Sequence, residues 1–114
     1  MAACLFCEIV AGRVPARLVA QDDEVVAFHD INPQAPHHVL VVPRRHIASL
    51  TELAPGDDAL VGRLVRKASE IAAAEGLAER GFRVLFNAGE DAGYSVFPIH
   101  LHLVGGRRLG WPPG

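Results

Sequence analysis

Two histidines two residues apart, His100 and His102, stand in the segment Ile99-His100-Leu101-His102-Leu103. In an extended strand successive side chains point to opposite faces, so the imidazoles share one face and the three aliphatic side chains the other. Their separation along such a strand is about 7 Å. That suits two imidazoles gripping one phosphate, and it equally suits two ligands of one metal. A half-buried strand that merely carries histidines shows the same pattern, so the pair alone leaves three readings open. The residues just upstream narrow them. Asn87, Gly89, Gly93 and Ser95 offer small side chains, approachable backbone N–H groups and a hydroxyl, which are the groups a phosphate oxyanion needs. A histidine beside a bound phosphate is placed for nucleophilic attack at phosphorus. The chain has no glycine-lysine loop of the nucleotide-cradling type and no acidic cluster fit for magnesium. Phosphoryl chemistry here is therefore expected to need no cofactor, with charge stabilised by imidazoles and amides.

The elements that must position these groups follow from pattern. At 114 residues the chain is read as one domain, residues 1–114, with a modest core. Half of it is apolar and 21% charged, a globular balance. The net charge of −2 comes from mixed acids and bases, with no basic run for nucleic acid. The longest apolar runs, such as Val39 to Pro43, are of strand length and too short for a membrane span. Met1-Ala2-Ala3-Cys4 carries no positive region or long apolar stretch, so no export signal and a cytoplasmic location are expected. Residues 4–11 suit a short helix with Leu5, Ile9 and Val10 on one side, stopped by Gly12. Strands are expected over 17–21, 24–29, 39–42, 82–86 and from about Val96 to Val104. The proline-rich stretch from Asp30 to His37 must be a loop. Leu60, Leu64, Ala68, Ile71 and Ala72 form one apolar stripe on a long helix over 57–75, with Asp57 and Asp58 at its positive end and Gly76 as its stop. The class is thus α+β: a mainly antiparallel sheet of about five strands, one long helix and a short N-terminal helix.

Several segments, taken in order, resemble a known family. They are Ala27-Phe28-His29-Asp30-Ile31-Asn32-Pro33-Gln34-Ala35-Pro36, then Pro43-Arg44-Arg45-His46-Ile47, then Ser95 to His102, then Gly105-Gly106-Arg107 through Trp111-Pro112-Pro113-Gly114. From Leu5 to Gly114 the chain is similar to the histidine triad (HIT) superfamily, specifically its Hint branch of nucleoside phosphoramidases. The resemblance implies a HIT-like fold and a hydrolase that cleaves purine nucleoside 5′-phosphoramidates, such as AMP-linked amines, through a nucleotidyl-histidine intermediate. It implies His100 as nucleophile and His102 as a phosphate ligand. Asp30 would bond the ribose hydroxyls with Ile31 packed beside it, and Asn87, Gly93 and Ser95 would contact phosphate, Ser95 also lying near the leaving amine. His38 corresponds to a supporting histidine, preferred over His37 by strand register. The resemblance also implies a homodimer, a pairing that suits a chain this small.

Two positions depart from the family pattern. The first of three alternating signature histidines is Pro98 here, and Tyr94 stands where glutamine is usual, still able to bond a phosphate oxygen. Proline cannot hydrogen-bond His38, so His38 is expected to take water or a backbone carbonyl, and restoring Pro98→His to raise turnover. A nucleotide-binding module with weak or no catalysis is the alternative that Pro98 motivates; a nucleotidyltransferase or dinucleotide polyphosphate hydrolase of the same superfamily is the third. Some relatives bind structural zinc. Cys4, Cys7 and His46 are the candidate ligands here, but a closed zinc site wants four and Pro98 removes the fourth. The expected state is Cys4 and Cys7 packed or half exposed on the short helix.

Overall fold

A computed structural model of the chain describes residues 5–93 and 98–114, so the expectations for Cys4, Tyr94 and Ser95 lie outside the described residues. Five strands form one sheet: β1 Leu18–Gln21, β2 Val25–His29, β3 His37–Pro43, β4 Phe82–Leu85 and β5 Leu101–Gly105. Their order is β1-β2-β3-β5-β4, and every neighbouring pair is antiparallel. Two α-helices join them, α1 Leu5–Val10 and α2 Asp58–Ala74, so the fold is the α+β arrangement expected. No helix among the described residues is long and apolar enough to cross a membrane.

The central strands read as unbroken apolar runs because both of their faces are covered. Val25 and Ala27 of β2, Val39 and Val41 of β3, and Leu101 and Leu103 of β5 pack on one face against Leu64, Ala68, Ile71 and Ala72 of α2. The alternate residues Val26, Phe28, Leu40 and Val42 pack on the opposite face with Phe6 of α1. On α1 it is Phe6, with Ile9 and Val10, that turns inward, while Leu5 is half exposed. The stripe therefore runs at spacings of three and four from residue 6 rather than from residue 5. Helix α2 is stopped by Gly76 just beyond its end, whose φ of +77° lets the Leu77 N–H reach back to the Ala72 carbonyl at 2.8 Å.

Two boundaries differ from the sequence pattern, and both bear on the site. β3 begins at His37, two residues early, because the Asp30 N–H donates to the His38 carbonyl at 3.0 Å and extends the pairing. β5 begins only at Leu101, opposite Val41. Continuing that register would set Ile99 opposite Pro43, which has no N–H to give. Ile99 instead donates to the Ile47 carbonyl at 2.8 Å, so Pro98 to His100 lie outside the ladder.

Candidate functional site

Register decides which histidines meet. In the β3–β5 ladder Leu40 lies opposite His102, and His38 opposite Val104. His38 and His102 are thus diagonal neighbours on one face, within reach of long or aromatic side chains. That face is the one α1 covers, opposite α2. His38 Nε2 and His102 Nδ1 are 2.9 Å apart, and Asp30 Oδ2 lies 3.4 Å from His38 Nε2. The other side of the His38 ring accepts the Gln34 backbone N–H at Nδ1, 3.0 Å away. So His38 does not take the backbone carbonyl expected of it; its partners among the described residues are a peptide N–H, a second imidazole and a carboxylate. His37 points elsewhere, its Nδ1 3.8 Å from Glu75.

His100 is held differently. Its Nδ1–H donates to the Pro98 carbonyl at 2.9 Å, which leaves the lone pair on Nε2. The acceptor is main chain, so any residue at position 98 would supply it. Phe6 lies edge-on to the His100 ring, centroids 4.9 Å apart at 73°, and the His102 ring centroid lies 4.8 Å from that of His100. A cleft of about 330 Å³ opens over these rings. Asp30, Asn87, Gly93, His100 and His102 line its polar part; Leu5, Phe6, Ile9, Phe28 and Leu40 line an apolar slot beside it. Ile31 stands at its rim, almost wholly exposed.

Burial, the flanking His100 and His38 rings together push His102 down to about 4, against a smaller pull upward from Asp30. Burial likewise lowers His38, Asp30 opposing and His100 adding. Both rings are therefore neutral near pH 7. One buried atom stands out. His102 Nε2 has no hydrogen-bond partner among the described residues. Since His38 Nε2–H occupies His102 Nδ1, this Nε2 carries a proton and is a donor without an acceptor among the described residues. A phosphate oxygen entering the cleft would satisfy it. The arrangement can thus hold an oxyanion with a neutral imidazole donor and present a second imidazole's lone pair beside it.

The candidate metal ligands are brought together in part. Cys7 Sγ and His46 Nδ1 are 3.1 Å apart, while Pro98 offers no donor where the resemblance places a ligand. The described residues thus supply two ligands and do not fit a closed zinc site, so no step below runs through a metal. Asp30, His38 and His102 also cluster closely enough to ligate, but their donor atoms already satisfy one another. Three contributors escaped sequence reasoning. Phe6 was legible from the α1 stripe had it been started one residue later. Gln34 acts through its backbone N–H, for which residue type gives no signal, and Arg107 through a guanidinium whose target is a backbone carbonyl.

Comparisons with known proteins agree with this fold. A family model for the HIT domain matches residues 11–109. An uncharacterized HIT-like protein of Synechocystis is 44% identical over 110 residues, covering 96% of both chains. The purine nucleoside phosphoramidase of Escherichia coli is 41% identical over 106 residues, covering 93% of this chain and 89% of that one. A crystal structure of a HIT family hydrolase from Legionella pneumophila superposes with a TM-score of 0.96 at 46% identity, covering 98% of this chain and all of that one.

Proposed function

The chain belongs to the HIT domain family, and on that premise we propose that it is a purine nucleoside phosphoramidase whose nucleophile is His100. The observation that carries this is the Nδ1–H of His100 on the Pro98 carbonyl, which commits the ring to a neutral tautomer with its lone pair on Nε2. The nucleoside lies in the apolar slot by Phe6, Phe28 and Leu40, with its ribose hydroxyls on Asp30. The slot suits a flat purine. Nε2 attacks phosphorus, a P–N bond to histidine forms, and the P–N bond to the amine breaks with its electrons going to the amine nitrogen, which takes a proton from solvent water as it leaves. Water then attacks phosphorus, releasing the monophosphate and neutral His100. His102 Nε2–H and the Asn87-to-Gly93 segment hold the phosphate oxygens meanwhile. Tyr94 and Ser95 are assigned to the phosphate by the family resemblance alone.

Incubation with adenosine 5′-phosphoramidate, followed by mass spectrometry, tests this. AMP and a transient adduct on His100 are expected. His100→Ala should lose at least about a thousandfold in turnover while still binding AMP; a variant that keeps turnover would sink the assignment. A nucleotide-binding module with little catalysis is the second reading, favoured by the missing ring donor at Pro98. AMP binding without adduct or product would decide for it.

A further inference from the structure

Arg107 lies outside the cleft, just after the Gly105-Gly106 turn that ends β5, and reaches across to the β2–β3 loop. Its Nη2 donates to the Gln34 carbonyl at 3.0 Å and its Nε to the same oxygen at 3.4 Å, while its Nη1 donates to the Arg108 carbonyl at 3.0 Å. Two donors of one planar fork on one acceptor restrict how that stretch of backbone can turn. Gly106 makes the approach close. At its φ of +93° a Cβ would stand 2.9 Å from Pro36 Cβ and from His37 Cδ2. The amide of the same Gln34 is the donor to His38 Nδ1. A backbone N–H can only donate, so Nδ1 must present its lone pair and the ring proton must sit on Nε2. From there the nearest acceptor is His102 Nδ1 at 2.9 Å, which in turn places the His102 proton on the buried Nε2, an atom with no partner among the described residues. A proton at that atom attracts a phosphate oxygen; a lone pair there repels one.

We propose that Arg107 is a remote positioning residue: by orienting Gln34 it sets the tautomers of His38 and His102 in series, so that His102 offers the bound phosphate an N–H. The link to turnover rests on the phosphoramidase reading, whereas the tautomer chain is a property of the unliganded protein. The two can therefore fail separately.

The test is long-range proton–nitrogen NMR on the protein labelled with nitrogen-15 histidine, at neutral pH and without ligand. In the wild type His38 and His102 should each show an unprotonated Nδ1 and a protonated Nε2. Arg107→Ala should move both rings toward mixed tautomers and weaken AMP binding and kcat/KM by about tenfold or more, the scale of lost supporting hydrogen bonds. Arg107→Lys, a point charge without the fork, should show a smaller shift in the same direction, and it serves if the alanine variant does not fold. Gln34→Ala keeps the peptide N–H and should keep the wild-type ring shifts. A folded Arg107 variant with unchanged His38 and His102 tautomers overturns the proposal, as does a wild-type His38 protonated at Nδ1. Wild-type tautomers as described, altered in Arg107→Ala but with no phosphoramidate turnover in either protein, would support the tautomer chain and remove the functional reading instead.

Discussion

At the scale of the residue, His102 shows how burial and neighbours set a charge state. Its ring is pushed down to about 4 from an ordinary 6.5, burial acting first and the His100 and His38 rings adding to it. His38 moves in the same direction for the same leading reason. In the unfolded chain both rings bind a proton near pH 6.5, so below that pH protonation favours unfolding. The stability that the neutral rings allow is therefore fully present above about pH 6.5 and is lost as pH falls from there toward 4. The melting midpoint, followed by circular dichroism, should drop across that window, and His102→Asn should flatten part of the slope. A wild-type midpoint that stays level through the window would contradict the buried, neutral state of these rings. The type and spacing of His100 and His102 were legible as chemistry, but their protonation was not, because it depends on what surrounds each nitrogen.

At the scale of the element, two junctions carry the site. The first is the stretch from Pro98 to His100, which precedes the β5 ladder and is tied by Ile99 to the Ile47 carbonyl. Pro98 looks damaging as a residue type, since its ring can neither donate nor accept. Its contribution is its carbonyl, which bonds the His100 ring whatever side chain residue 98 bears. Pro98→His is therefore expected to change kcat within about threefold, less than the loss of a supporting hydrogen bond usually costs. Steady-state turnover checks this, and a tenfold rise would mean that a ring at 98 has a role the carbonyl does not fill. The second junction is the turn after β5. Gly106→Ala places a Cβ 2.9 Å from Pro36 and His37 at a positive φ, so it should destabilise by about 1–3 kcal/mol in urea unfolding. An unchanged midpoint would show that the loop yields.

At the scale of the whole molecule, the sheet has an open side. β4 is an edge strand in the sheet order, and its Phe82 and Val84 are each more than a third exposed; Val65 of α2 is exposed to 44%. We propose that these apolar groups and the unpaired edge are covered by a second copy, giving a homodimer, a gain that matters most to a small chain. Sedimentation at micromolar concentration should give one dimeric species, and Phe82→Glu should shift it toward monomer. A monomeric wild type would refute the pairing.

What the sequence by itself determined is what periodicity and residue type can encode. The alternation around His100 and His102, the α2 stripe from Leu60 to Ala72 and the proline-rich break after Asp30 specify the α+β class and put the chemistry at the end of the chain. Those signals are local, because a strand's two-residue period and a helix's 3.6-residue period act between near neighbours. Tertiary structure alone decided the pairing of His38 with His102. That contact spans 64 residues and exists only because Leu40 lies opposite His102, where a one-residue slip would send His38 to the other face. It also decided that Phe6 would lie against the His100 ring and that the Gln34 N–H would choose the His38 tautomer. Contacts through main-chain atoms leave no trace in residue type, since every residue but proline carries the same amide and every residue the same carbonyl.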